Sequence, residues 1–132
     1  MPPSSTNTNN LLDPELIQAS AKRILLRCDE LSMCTEETGR ITRRFLTPAM
    51  QDCHRLLSRW MGEAGLSVRT DSVGNLVGRR ISQESSRTLL LGSHVDSVPN
   101  AGKYDGVLGV LLGLAAAELC GDISLPFNLD VI

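Results

Sequence analysis

Residues 88–132 have the sequence TLLLGSHVDSVPNAGKYDGVLGVLLGLAAAELCGDISLPFNLDVI. The short apolar run Thr88 to Leu91 is typical of a strand that is covered on both faces. A loop dense in glycine, proline, asparagine and aspartate follows from Gly92 to Gly106. The apolar segment Val107 to Cys120 then predicts a buried helix, and Phe127 to Ile132 predicts a second strand. The order strand, loop, helix, strand predicts a right-handed parallel crossover, and hence an α/β fold.

Two amphipathic helices are predicted before this stretch. Asp13 followed by Pro14 is typical of a helix start, and so is Thr47 followed by Pro48. Gly65 is well placed to end the second helix in a left-handed conformation. Apolar residues recur at spacings of three and four in both: Ile17, Ala21, Ile24, Cys28 and Leu31 in the first, and Met50, Cys53, Leu57, Met61 and Ala64 in the second.

A strand pair is predicted between the second helix and the crossover. Leu66 to Thr70 and Leu76 to Ile81 are short segments on either side of a turn rich in aspartate, glycine and asparagine. With the parallel crossover, this pair predicts a mixed, partly parallel sheet flanked by helices. Residues 1–12 are mostly polar and predict a disordered tail, so we expect the folded region to be 13–132.

The composition excludes several classes of protein. The 132 residues carry 13 basic and 15 acidic side chains, which suits one soluble domain or a piece of one. The basic residues are scattered, so neither nucleic acid nor an anionic membrane is an expected partner. The longest apolar stretch is about half of the roughly 20 residues that a membrane span needs. The start of the chain lacks the pattern of a secretory signal, and four cysteines without a C-x-x-C pair predict reduced thiols in a cytoplasmic protein.

Three residues of the loop suggest metal chemistry. His94 and Asp96 lie two positions apart, so in an extended chain they project to the same face. A carboxylate beside an imidazole can fix its orientation and raise its basicity, as is usual around a metal. Asp105 stands where the third helix begins, a position that favours a carboxylate and from which it can bridge two cations. The alternative stays open that Asp105 only caps the helix and that the glycines only serve tight turns.

Other polar residues predict structural roles. His54 lies beside the apolar stripe of the second helix, where a partly buried structural histidine or a surface one is expected. Arg40, Arg43 and Arg44 predict a solvated or salt-bridged edge, with anion binding as the alternative. Neither a phosphate-binding loop nor the nucleophile turn of serine hydrolases is present in the loop sequence.

The stretch Leu91 to Gly106, LGSHVDSVPNAGKYDG, resembles the first metal-binding stretch of the N-carbamoyl-L-amino-acid hydrolase and allantoate amidohydrolase family. That family belongs to the larger group of two-metal aminoacylases and exopeptidases. The GKYDG element indicates this branch rather than the neighbouring peptidases and deacetylases. The likeness extends over about residues 17–132 and includes GRITR at 39–43, LTPAM at 46–50, WMGEAGL at 60–66 and VRTDSVGNLVGR at 68–79.

The resemblance implies a fold, a reaction and roles for residues. The chain would be the N-terminal part of a metallopeptidase-like catalytic domain that hydrolyses linear C–N amide bonds in small ureido or amide substrates. His94 would be a ligand of one metal ion, Asp105 would be shared between two, and Asp96 would be the catalytic-site residue that keeps the site in order. The cofactors would be two divalent ions, zinc or manganese, and the full-length protein would be a homodimer.

The sequence also departs from the family. In the family pattern, the strand corresponding to Phe127 to Ile132 leads into a pair of glutamates, followed by further histidine ligands and an inserted dimerisation domain, and none of these follows that strand in the sequence. We therefore expect an N-terminal fragment that does not catalyse the reaction alone. The alternatives are an aminoacylase or dipeptidase of the same group, and a non-catalytic remnant that acts as an interaction module.

Overall fold

The computed structural model describes residues 13–132, so the predicted tail at 1–12 lies outside the described residues. Every element predicted within the described range is present, and the ends of the strands differ from the prediction by at most one residue. The elements are α1 (Pro14–Ser32), α2 (Pro48–Glu63), β1 (Ser67–Thr70), β2 (Leu76–Arg80), β3 (Thr88–Leu91), α3 (Val107–Cys120) and β4 (Asn128–Val131).

The predicted helix boundaries are confirmed by the capping bonds. The Asp13 side chain accepts a hydrogen bond from the backbone N–H of Glu15, and the Thr47 hydroxyl accepts one from Met50. Each satisfies a donor that has no partner within its helix. Gly65 follows α2 with a φ of 76°, the left-handed conformation that glycine adopts without a steric penalty.

The four strands form one mixed sheet in the order β1-β2-β4-β3. Strands β3 and β4 pair in parallel, whereas β1 with β2 and β2 with β4 are antiparallel. The predicted parallel crossover and α/β class are confirmed. Leu91 pairs with Val131, so β3 and β4 end at the same edge of the sheet, and the N–H of Ser93 continues the ladder to the carbonyl of Ile132 at 3.1 Å.

One core joins the three helices to the sheet. Helix α1 packs on α3, α2 packs on β1 and β2, and α3 packs on β4. The most deeply buried side chains include Cys28, Leu31, Leu57, Met61, Leu111, Leu114 and Val131. The predicted stripe of α1 is wrong in its first half, because Ile17 and Ala21 are exposed. Burial along α1 begins at Ser20, and the first residue of the helix in the hydrophobic core is Ile24.

Strand β3 differs from the prediction of a strand covered on both faces. Leu89 is 44% exposed and Leu90 is 55% exposed. The reason is topological, since β3 lies at the edge of the sheet with β4 as its one neighbour among the described strands. Leu91 packs against α3 at Gly113, where an added Cβ would lie 3.3 Å from the Leu91 Cβ.

The sequence predicts reduced cysteines and no membrane span. Cys28, Cys34, Cys53 and Cys120 are all free thiols, as predicted. Burial raises the pKa of the Cys53 thiol to about 12, which keeps it protonated at neutral pH. Among the described residues, no helix combines the length and the apolar character that crossing a membrane requires.

Candidate functional site

The loop between β3 and α3 orients the His94 imidazole with a backbone carbonyl. His94 Nδ1 lies 3.0 Å from the carbonyl oxygen of Asp96. Because a carbonyl oxygen only accepts, Nδ1 carries the proton and donates it. The Asp96 carboxylate lies farther away, with Oδ1 3.5 Å from Nδ1. The predicted orienting effect of Asp96 is therefore exerted first by its backbone carbonyl and only second by its side chain.

Nε2 of His94 faces the carboxylate of Asp105. In the neutral imidazole this nitrogen is an acceptor, because the proton is on Nδ1. It lies 3.7 Å from Asp105 Oδ1, which is too long for a hydrogen bond. Two acceptors that face each other are stabilised by a cation between them. Two metal–ligand bonds of about 2.1 Å can together span this separation, and imidazole with carboxylate suits zinc or manganese.

Asp105 does not serve as a helix cap. The N-cap residue of α3 is Gly106, and no side chain makes a capping hydrogen bond there. The turn is closed by backbone groups instead, with the N–H of Val107 donating to the carbonyl of Asp105 at 2.8 Å. The capping alternative is thus not what the structure shows, and the Asp105 carboxylate is left facing His94.

Glycines allow His94 to lie against the start of α3. Gly106 has a φ of 69°, and a Cβ built there would lie 2.4 Å from the His94 carbonyl oxygen and 2.5 Å from Cε1 of the ring. A Cβ at Gly109 would lie 2.5 Å from Oγ of Ser93. That hydroxyl donates to the carbonyl of Gly106 at 2.8 Å. No side chain larger than hydrogen fits at Gly106 while His94 keeps this position.

Sequence reasoning missed the roles of Ser93 and of these glycines. A signal was present, because Gly109 and Gly113 lie four positions apart inside α3, after Gly106 at its N-cap. Glycine inside a helix costs about 1 kcal/mol relative to alanine, so two at this spacing indicate a face that another chain segment approaches closely.

A small cavity of about 110 Å³ opens beside His94. His54 lies on its wall, half-buried, and burial lowers the pKa of its imidazole. The predicted structural histidine is therefore a neighbour of the site, although it is not in contact with the two aspartates. The lining includes Phe45, Met50, His54, Asn75, His94 and Asp96.

The predicted metal residues form an incomplete set of ligands. Within residues 13–132, no three histidine, cysteine, aspartate or glutamate side chains form a group able to hold a metal ion. The arrangement is instead two pairwise contacts that share the His94 ring. A zinc site in a protein takes three or four protein ligands, so these residues fit part of a metal centre.

The prediction for the arginine cluster is wrong for its central member. Arg40 and Arg44 are exposed and pair with Glu37 and Glu36, as expected of a salt-bridged edge. Arg43 is 2% exposed, and its guanidinium donates to backbone carbonyls in the interior. The short cluster concealed this because the burial of Arg43 depends on contacts with Leu31, Cys34 and Val95, which are distant in sequence.

The chain is similar to curated proteins over most of its length. It is 39% identical over 101 residues to the N-carbamoyl-L-amino-acid amidohydrolase of Pseudomonas sp. (strain NS671), a match that covers 74% of this chain and 24% of that protein. It is 35% identical over 108 residues to allantoate deiminase 1 of Glycine max, covering 81% of this chain and 22% of the relative. The chain is homologous to part of the N-carbamoyl-L-amino-acid amidohydrolases and allantoate deiminases.

Solved structures agree with this assignment. A hydantoinase/carbamoylase family amidase from Burkholderia ambifaria matches with a TM-score of 0.77 and 31% identity, over 83% of this chain and 28% of that one. AtUAH in complex with glyoxylate matches with a TM-score of 0.77 and 32% identity, over 83% of this chain and 27% of that one. A leucine aminopeptidase precursor from Bacteroides thetaiotaomicron, 18% identical with a TM-score of 0.64, shares the fold. No protein-family model matches the chain.

Proposed function

We propose that this chain supplies part of the active site of a metal-dependent amidohydrolase. The reaction would be hydrolysis of a linear C–N amide bond in a small ureido compound, either an N-carbamoyl-L-amino acid or an allantoate-like substrate. The observation that carries the proposal is the facing pair of acceptors, His94 Nε2 and Asp105 Oδ1, at 3.7 Å. The similarity to named amidohydrolases over 74% of the chain supports the choice of reaction.

The roles of the chain's own residues follow from their geometry. His94 offers Nε2 to a cation because its Nδ1 is held by the Asp96 carbonyl. Asp105 offers a carboxylate from the opposite side, and Asp96 adds negative charge beside the ring. A bound zinc or manganese ion would polarise the substrate carbonyl and lower the pKa of a water molecule toward neutrality.

Metal binding is the first test of this proposal. We expect calorimetric titration of the protein with Zn²⁺ or Mn²⁺ to show binding that weakens about tenfold or more in His94→Ala and in Asp105→Ala. His54→Ala is the matched control, since His54 is a histidine in the same cavity that contacts neither aspartate, and it should bind as the wild type does. Equal affinity in all four proteins would contradict the proposed ligands.

The reaction is tested by a comparison of substrates. We propose that residues 1–132 alone turn over none of them, because three donors do not complete two metal sites. The intact enzyme is expected to hydrolyse N-carbamoyl-L-amino acids or allantoate, to lose activity with a chelator and to regain it with Mn²⁺ or Zn²⁺. Faster hydrolysis of N-acyl amino acids or dipeptides would favour an aminoacylase or dipeptidase. Full turnover in excess chelator would remove the metal mechanism.

A further inference from the structure

The Arg43 guanidinium is buried without a carboxylate partner in the described part of the chain. It is 2% exposed. Its Nη1 donates to the carbonyls of Leu31 at 2.9 Å and Cys34 at 2.7 Å, and its Nε donates to the carbonyl of Val95 at 2.7 Å. A buried charge lowers stability unless such bonds compensate it, so these three contacts account for its position.

Two of these contacts stabilise the end of a helix. The Leu31 carbonyl belongs to the last turn of α1, where carbonyls have no partner within the helix. The negative end of the helix dipole also favours a cation at this place. The contact with Val95 has no such explanation, because Val95 belongs to the loop after β3 and lies between His94 and Asp96.

Backbone bonds reinforce the contact with Val95. The N–H of Arg43 donates to Oγ of Ser97 at 2.9 Å, and the N–H of Ser97 donates to the carbonyl of Arg43 at 2.8 Å. Farther along the same two segments, the N–H of Ala101 donates to the carbonyl of Ile41 at 2.9 Å. The loop that carries His94 and Asp96 is therefore attached to the segment around Arg43 at several points.

We propose that Arg43 is a positioning residue for the candidate metal centre, which acts on His94 through the carbonyl of Val95. The inference rests on the proposed function. The Val95 carbonyl belongs to the peptide unit between Val95 and Asp96, and the Asp96 carbonyl that holds the ring belongs to the next peptide unit. Fixing the Val95 carbonyl orients the peptide that leads to Asp96, so the Nδ1 bond is kept and Nε2 stays directed at Asp105.

Arg80 provides a matched control. Its Nη2 donates to the carbonyls of Ala64 at 3.0 Å and Ala117 at 3.1 Å, at the C-terminal ends of α2 and α3. Like Arg43, it therefore binds backbone carbonyls at helix ends and supports the fold. It has no contact with the loop from Gly92 to Gly106. Arg43→Met and Arg80→Met are both expected to lower stability, and only the first is expected to change the site.

The experiment compares wild type, Arg43→Met and Arg80→Met under conditions in which each is folded by circular dichroism. Long-range ¹H–¹⁵N spectra of the two histidine rings, assigned with His94→Gln, report which nitrogen carries the proton. We expect His94 to be protonated on Nδ1 in wild type and Arg80→Met, and to become a mixture of tautomers in Arg43→Met. The Zn²⁺ dissociation constant should rise about tenfold in Arg43→Met and less than about twofold in Arg80→Met.

The outcomes separate this inference from the proposed function. Unchanged His94 signals and unchanged Zn²⁺ affinity in a folded Arg43→Met protein would overturn the inference, even if the protein proves to be a hydrolase. If wild type binds no Zn²⁺, the proposed function fails and the ring spectra still decide the role of Arg43. If Arg43→Met does not fold, Arg43→Lys replaces it, with Arg80→Lys as its control, because lysine keeps the charge and lacks the Nε donor to Val95. A change of the His94 signals in Arg43→Lys alone supports the inference, and no change in either overturns it.

Discussion

The two ends of the sheet carry charged side chains that are arranged in opposite ways. At one end, the salt-bridged end, Glu118 accepts hydrogen bonds from Arg23 at 2.9 Å and Arg27 at 2.7 Å. The Arg27 guanidinium also lies 4.9 Å from the centre of the Trp60 ring, over its face. Every one of these charges has an opposite charge, a carbonyl or an aromatic face as partner, so they stabilise the packing of α1 against α2 and α3.

At the other end, the site end, the carboxylates of Asp96 and Asp105 lie beside the imidazole of His94. The side chains of Asp96 and Asp105 are 55% and 50% exposed and make no ion pair with an arginine or lysine within residues 13–132. Lys103 belongs to the same loop but pairs with Asp29 of α1 instead. The salt-bridged end thus uses charge for stability, whereas the site end keeps unbalanced negative charge that a cation would compensate.

The largest effect is expected from Gly106→Ala at the site end. The new Cβ would overlap the carbonyl oxygen and ring of His94, and the φ of 69° is unfavourable for alanine. We expect the free energy of unfolding to fall by about 3 kcal/mol, measured by urea denaturation. Gly102→Ala is the control, because nothing lies within 4 Å of its Cβ position, and it should change stability by less than about 0.5 kcal/mol. Equal midpoints for the two variants would contradict this account.

Glu118→Gln should have the next largest effect, at the salt-bridged end. The Arg27 side chain is only 9% exposed and would lose its carboxylate partner. We expect the free energy of unfolding to fall by about 2 kcal/mol in the same urea denaturation assay. Asp52→Asn breaks an exposed pair with Arg55 and is expected to cost less than about 0.5 kcal/mol. If Glu118→Gln lowered the free energy of unfolding as little as Asp52→Asn does, the ion pairs would not stabilise the salt-bridged end.

The sequence predicted the elements well because their signals are local. Asp13 and Thr47 cap their helices through bonds to residues two or three positions away, and that spacing is visible in the sequence. Burial depends on residues far apart in the chain. Arg43 and Leu90 show this, since the first is enclosed by α1 and the site loop and the second is exposed by its place at the sheet edge.

The candidate site, like the fold, was predictable only in part. Strand alternation and the helix start predicted that His94, Asp96 and Asp105 lie near one another, and their roles at a metal stay a prediction. The Asp96 carbonyl as the partner of Nδ1 did not follow, because backbone acceptors are identical in every residue and carry no sequence signal. The contact between Arg43 and Val95 joins residues 52 positions apart and was equally invisible.

Asp105→Asn sharpens the contrast between the two ends. Without metal, removal of one of two neighbouring carboxylates should raise the free energy of unfolding by about 0.5 kcal/mol, because like charge is relieved and no ion pair is lost. In wild type we expect added Zn²⁺ to raise the melting temperature by mass action, and in Asp105→Asn to raise it much less. Asp122→Asn, an exposed aspartate at the opposite end, should respond to Zn²⁺ as wild type does. A loss of stability in metal-free Asp105→Asn would mean that Asp105 is structural.

The smallest effect concerns His54, whose pKa is lowered because burial disfavours the charged imidazole. The unfolded chain therefore binds a proton at a higher pH than the folded protein does. The neutral His54 ring contributes its full stability at a pH above its pKa in the unfolded chain, near 6.5. This contribution is lost as the pH falls through the lower pKa of the folded protein. Urea denaturation at pH 7.5 and 5.5 should show this loss in wild type and a smaller loss in His54→Gln. An identical pH dependence in wild type and His54→Gln would mean that His54 is not buried in solution.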